Sequence, residues 1–237
     1  MSAAIALPRG RALAGSLLLL LNPAVYLIAE AVSAAAWRTP AYSYANNAIS
    51  DLGVPSCGTL IDHPVCSPLY PVMNTAFLLQ GAVIAVAAFL LAPLLASASA
   101  RVYRIFAVIT GVGLLLVGTF PGSPEAVADG TVAIHTAGAG MAIFGGNIAA
   151  IIVGTALHRQ GHRRLGSALI GFGIVGNISV IVMFAVVAAT SGGVISGVAI
   201  AERISVYTIM AAQLAAGIAL LTRLRRTSVP IVLAAHG

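Results

Sequence analysis

ALAGSLLLLLNPAVYLIAEAVSAAA, residues 12–36, decides the fold. Within it only Glu30 is ionisable, and Leu17, Leu18, Leu19, Leu20 and Leu21 stand in one run. A helix rising 1.5 Å per residue needs about 20 residues to cross a hydrocarbon core of about 30 Å. A membrane strand would instead alternate apolar and polar positions over about ten residues. The run is continuous, so it reads as a transmembrane helix.

Five more runs of the same kind follow, at 71–96, 102–120, 132–157, 166–189 and 204–221. The short polar segments between them leave one long connection, 37–70. Of the 237 residues, 59% are hydrophobic and 8% charged, with a mean hydropathy of +1.03. A soluble domain carries roughly 25% charged residues to cover its surface, so lipid must solvate most of this one. The predicted fold is all-α: a polytopic bundle of six transmembrane helices, one domain over 1–237, with one long outer loop between helices 1 and 2.

Charge placement orients the bundle. All 12 basic residues are arginine. Arg9, Arg11, Arg101, Arg104, Arg159, Arg163, Arg164, Arg223, Arg225 and Arg226 fall on one side, with only Arg38 and Arg203 on the other. Glu30, Asp51, Asp62, Glu125, Asp129 and Glu202 sit at or beyond the face opposite the arginine-rich side. The positive-inside rule then places both termini in the cytoplasm. The Ala, Gly, Val and Arg bias is that of a GC-rich genome, and the expected location is a bacterial plasma (inner) membrane. Arg9, Arg11, the leucine run and Ser33-Ala34-Ala35-Ala36 also resemble a signal peptide. The spanning length, Pro23 and Glu30 favour a retained first span.

Absences exclude chemistry. Without lysine there is no Schiff base, P-loop lysine or Ser-Lys dyad. No Gly-x-Ser-x-Gly elbow occurs, and only His135 stands at membrane depth where haem ligation would want a pair. The arginines read as topology signals and contacts to membrane lipids, not as a nucleic-acid surface. Neither a cofactor nor a metal is expected.

Small residues mark helix contacts, notably Gly138, Gly145 and Gly146 in the fourth span and Gly171, Gly173 and Gly176 in the fifth. Gly146-Asn147-Ile148 and Gly176-Asn177-Ile178 bring two mid-span asparagines within reach of each other, as an interhelical amide bond requires. Asn22-Pro23 reads as a kink in the first span.

Polar groups gather at the outer face. Glu30 ends the first span, Asn74 and His135 lie one turn inside the second and fourth, and Glu202 and Arg203 immediately precede the last, with Tyr207 a turn below. Asp51 lies in a loop stretch, 44–53, that reads as a small helix or re-entrant turn with Gly53 past its end. In one reading, Arg203 neutralises Glu202, Glu30 or Asp51 and holds the loop over the bundle. In the other, these groups form a pocket. There Arg203, Glu30, Asn74 and Tyr207 bind a ligand, and His135 with Asp51 or Glu202 serves as catalytic base. Cys57 and Cys66 face the oxidising side and are expected to form a disulfide. A metal site of Cys57, His63 and Cys66 is the lesser alternative.

Asn47-Ala48-Ile49-Ser50-Asp51-Leu52-Gly53 after a first span, Phe120-Pro121 ending the third, His135 opening the fourth and Glu202-Arg203 opening the sixth resemble the membrane family catalogued as domain of unknown function 998 (DUF998). The resemblance runs from span one to span six. It implies the six-span topology and carries no activity with it. Three functions fit the residues: binding of a lipid or small polar ligand in an outer-face pocket, which is favoured; a membrane-embedded hydrolase or transferase acting on lipid head groups; or an accessory subunit packed against other membrane proteins. Whether the protein is an enzyme stays open at this point.

Overall fold

Seven α-helices and one hairpin are present in a computed structural model that describes residues 7–60, 62–189 and 197–226. The helices are α1 Arg9–Ala36, α2 Tyr70–Leu91, α3 Ser97–Thr119, α4 Pro124–Asp129, α5 Val132–Arg159, α6 Arg163–Ala189 and α7 Val198–Arg226. A 3₁₀ turn, Ala92–Leu94, extends α2. All except α4 are long and apolar enough to cross a membrane. At 1.5 Å per residue the shortest, 23 residues, is about 35 Å long, more than the hydrocarbon core requires.

The six long helices form a closed ring. Each packs against its neighbours in the chain, and α1 closes the circle against α7, with α5 also reaching across to α7. Short connections such as 160–162 force adjacent helices to run antiparallel. Small residues then let the backbones approach. A Cβ built on Gly81 would lie 2.7 Å from the Gly111 carbonyl oxygen, and one on Gly154 would lie 2.7 Å from that of Gly166. In lipid such contact replaces the hydrophobic drive that holds soluble helices together. Large apolar residues such as Leu21, Ile28, Phe89, Ile178 and Ile218 face outward.

Several boundaries differ from the hydropathy reading. α3 begins at Ser97 and α7 at Val198, several residues before the apolar runs at 102 and 204. The runs stop at charges, whereas a helix continues wherever those charges find partners. Glu202 and Arg203 therefore lie within the first two turns of α7 instead of preceding it. The connection 121–131 contains α4, capped by the Ser123 hydroxyl, which accepts from Ala126 N at 3.2 Å, and closed by Gly130 at φ 83°. α1 continues unbroken through Pro23. The two asparagines do not bond each other. Asn147 donates to the Ser205 carbonyl of α7 at 2.9 Å and accepts from Thr208, while Asn177 donates to Gly173 in its own helix.

Residues 37–69 do more than cover one end of the ring: they enter it. Ile49, Leu52, Val54 and Val65 are each 1% exposed or less, packed among Tyr26, Met73, Phe77 and Met210. Each such side chain contributes about 1.5–3 kcal/mol by burial, before the cost of ordering the chain. Outside this plug lies the hairpin of β1 Gly58–Leu60 and β2 His63–Val65, bracketed by the Cys57–Cys66 disulfide. The two thiols a metal site would need are thus joined to each other. The helical turn within the plug spans only Ser50–Gly53, and Gly53 is its last residue.

Candidate functional site

Two regions of the ring carry polar chemistry or space, one at the plugged end and one at the centre.

At the plugged end, α7 and α1 supply the anchors. The Glu202 carboxylate accepts from the backbone amides of Ile49 at 2.5 Å and Ser50 at 3.4 Å, where the 3₁₀ turn begins. Negative charge at the free amides of a helix start is the favourable arrangement. One turn away in angle, Arg203 sits 7% exposed. Its Nη1 donates to the Asn47 carbonyl at 2.7 Å, its Nη2 to the Tyr42 hydroxyl, and its Nε lies 3.4 Å from Glu30 Oε1. The guanidinium also stands 5.0 Å from the Tyr44 ring centre and 5.6 Å from that of Tyr42, within cation–π range. Tyr207 donates to the Glu30 carboxylate at 2.9 Å. Glu30, itself 1% exposed, is thereby paired and hydrogen-bonded, as a buried acid must be.

The loop completes the lock. Asp51 Oδ2 accepts from Ala48 N at 2.9 Å and lies 3.1 Å from His63 Nε2 on the hairpin. That hydrogen bond pushes the His63 pKa up, with burial opposing and Asp62 adding to the rise. Burial raises the Tyr42 phenol, and Arg203 works against it. Asn74 donates from Nδ2 to the Gly53 carbonyl at 2.9 Å, and its Oδ1 is buried without a hydrogen bond. On the rim, Ser56 donates to Glu125 at 2.8 Å, which lowers the Glu125 carboxyl.

His135 stands apart from this lock. Its Nδ1 bonds the Phe120 carbonyl at 2.9 Å, fixing the ring beside Gly122. With Tyr26, Ser50, Gln80 and Glu202 it lines a cavity of about 50 Å³ just beneath the plug. Of the residues nominated from sequence, Glu30, Asp51, Asn74, Glu202, Arg203 and Tyr207 come together around the loop. His135 borders the same region without bonding either carboxylate. The sequence reading missed Tyr42 and His63 as members of the lock; aromatic and histidine side chains in a loop carry no spacing signal.

The larger space lies deeper. A cavity of about 210 Å³ occupies the centre of the ring and extends toward the arginine-rich end. All six long helices contribute to it, with Leu19, Leu91, Ala107, Ala150, Leu169 and Ala212 among its walls. Its mid-depth polar groups are already engaged. Thr110 donates to the Phe106 carbonyl at 2.8 Å, and Gln213 Oε1 accepts from Asn22 at 3.3 Å. At the arginine-rich mouth stand Tyr103, His162 and Arg223. Ile84, Thr110 and Ile209 border both cavities and form the waist between them. No sequence pattern announced this space, because its walls are alanines and leucines like those of any packed span.

A family model described as "Protein of unknown function (DUF998)" matches residues 20–219, from within α1 to near the end of α7. No curated protein and no solved structure matches the chain.

Proposed function

The chain belongs to the DUF998 family of membrane proteins, and we propose that its helix ring binds the hydrocarbon part of a membrane lipid in the central cavity. The observation that carries this reading is the apolar cavity of about 210 Å³ walled by every span. An apolar cavity of about 150 Å³ stays dry and accepts benzene. Sites for whole drug-sized ligands run from about 300 Å³ upward. The volume here therefore suits one chain and is too small for a bulky head group, and the engaged state of Thr110 and Gln213 leaves an apolar occupant as the better fit.

A small polar ligand at the outer face finds less support. Arg203, Glu30, Asn74 and Tyr207 all spend hydrogen bonds on the loop or on one another. A head-group hydrolase using His135 is likewise less favoured, since Glu202 serves the Ile49 and Ser50 amides and His135 the Phe120 carbonyl. The arginine distribution supports an orientation with both termini cytoplasmic, in a cell membrane.

The test is lipid analysis of the full chain purified in mild detergent, compared with Ala150→Leu, whose added atoms occupy the cavity. Wild type is expected to carry or take up a long-chain fluorescent fatty acid, and the variant to lose it while melting at the same or a higher temperature. Equal uptake by both proteins, or none by wild type, overturns the reading.

A further inference from the structure

Resting on that reading, we propose that the lipid's head is an anionic phosphate, held at the arginine-rich mouth by Arg223 and His162. Among the residues lining the central cavity, these two are its only basic side chains, and both stand at one end. Arg223 Nη1 lies 3.2 Å from His162 Nε2, so a guanidinium and an imidazole from different helices converge on one point. Tyr103, from the second turn of α3, brings a hydroxyl to the same end of the lining. Guanidinium and imidazole together present several N–H donors, the set that phosphate oxygens accept.

The depth fits a lipid. Along α7 the lining runs from Arg223 inward to Ile209, 14 residues. That is about 21 Å at 1.5 Å per residue. One leaflet of hydrocarbon is roughly 15 Å, half of the core. A chain starting from a phosphate at Arg223 therefore remains within the cavity for its whole length and ends near the waist at Ile84, Thr110 and Ile209. The surrounding charge agrees. Arg9 donates to the Leu224 carbonyl and Arg11 to that of Phe89, keeping two further cations at this end. The structure thus matches an amphiphile with one negative end and one apolar tail.

The experiment titrates the full chain in detergent with three probes: a single-chain lysophosphatidate, the long-chain alcohol of equal length, and inorganic phosphate. Native mass spectrometry reads binding to wild type, Arg223→Gln and His162→Gln. The lysophosphatidate is expected to bind wild type roughly tenfold to hundredfold tighter than the alcohol, the margin that one or two charge-assisted hydrogen bonds confer. In both variants the margin shrinks while alcohol binding holds, and inorganic phosphate alone binds far more weakly than the lipid. Equal affinity for alcohol and lysophosphatidate overturns the phosphate assignment and leaves the chain-binding cavity standing. Inorganic phosphate binding as tightly as the lipid overturns it too, marking a site for the free ion. Variants that lose alcohol binding as well overturn it by making the two residues structural. If neither amphiphile binds, the central-cavity reading itself falls.

Discussion

At Gly53 a missing side chain makes room for an amide. A Cβ there would fall on the Asn74 side chain, whose Nδ2 donates to the Gly53 carbonyl at 2.9 Å. Glycine is required by that close approach, because its φ is not among the positive ones. Gly53→Ala is expected to destabilise the protein by about 1–3 kcal/mol through overpacking, and Asn74→Ala by about 1 kcal/mol through the lost hydrogen bond. Together they should cost less than the sum, since the second removes the atoms the first collides with; thermal unfolding of the four proteins in one detergent tests this. His63 gives a second prediction at this scale. Its pKa is raised, chiefly by the hydrogen bond to Asp51. The pair's contribution is therefore complete below the ordinary histidine value of about 6.5 and fades as pH rises through the elevated one. Amide exchange of residues 47–53, corrected for intrinsic rate, should show weaker protection above that value than below it. His63→Gln should flatten the dependence, and protection that grows with pH would contradict the assignment.

The plug is an element whose anchors lie on other elements. Glu202 and Arg203 hold it from α7, Asn74 from α2, and Glu30 from α1 supports Arg203. Removing one partner of a buried ion pair costs about 3–5 kcal/mol, because the other charge stays behind unpaired. Arg203→Met should cost that much and expose residues 42–54 to exchange while the helices keep their protection. Arg203→Met with Glu30→Gln should recover part of the loss. Uniform loss of protection across helices and loop would mean that Arg203 holds the ring and not the plug. Hydropathy revealed the six spans because lipid imposes a run of apolar residues on each. It misjudged where α7 starts, since Glu202 and Arg203 look like a boundary until their partners, 153 and 156 residues away, are known. The sequence separated the polar groups from the basic end and assembled most of the lock. It placed the site at the outer face, whereas the largest space is central, and a void leaves no mark on its lining residues.

As a whole the molecule is a ring that depends on backbone contact. Gly154 and Gly166 bring α5 and α6 together, each occupying the place where a Cβ on the other would sit against its carbonyl oxygen. Gly154→Val should push the helices apart, with a loss of about 1–3 kcal/mol read by thermal melting, and should weaken fatty-acid uptake because Val153 and Leu157 beside it line the cavity. An unchanged melting point with unchanged uptake would show that the contact is not needed. The closure of α1 on α7 also sets a timetable for biosynthesis. The amide of Ile49 is made 153 residues before the carboxylate that receives it. At about 5–20 residues per second the ribosome takes roughly 8–30 s to cover that distance. Throughout that interval the nascent loop has crossed without an anchor, and Glu30 waits in the bilayer for its cation. A polypeptide arrested before Val198 stays in that condition, carrying an unneutralised acid in lipid that membrane quality control can recognise.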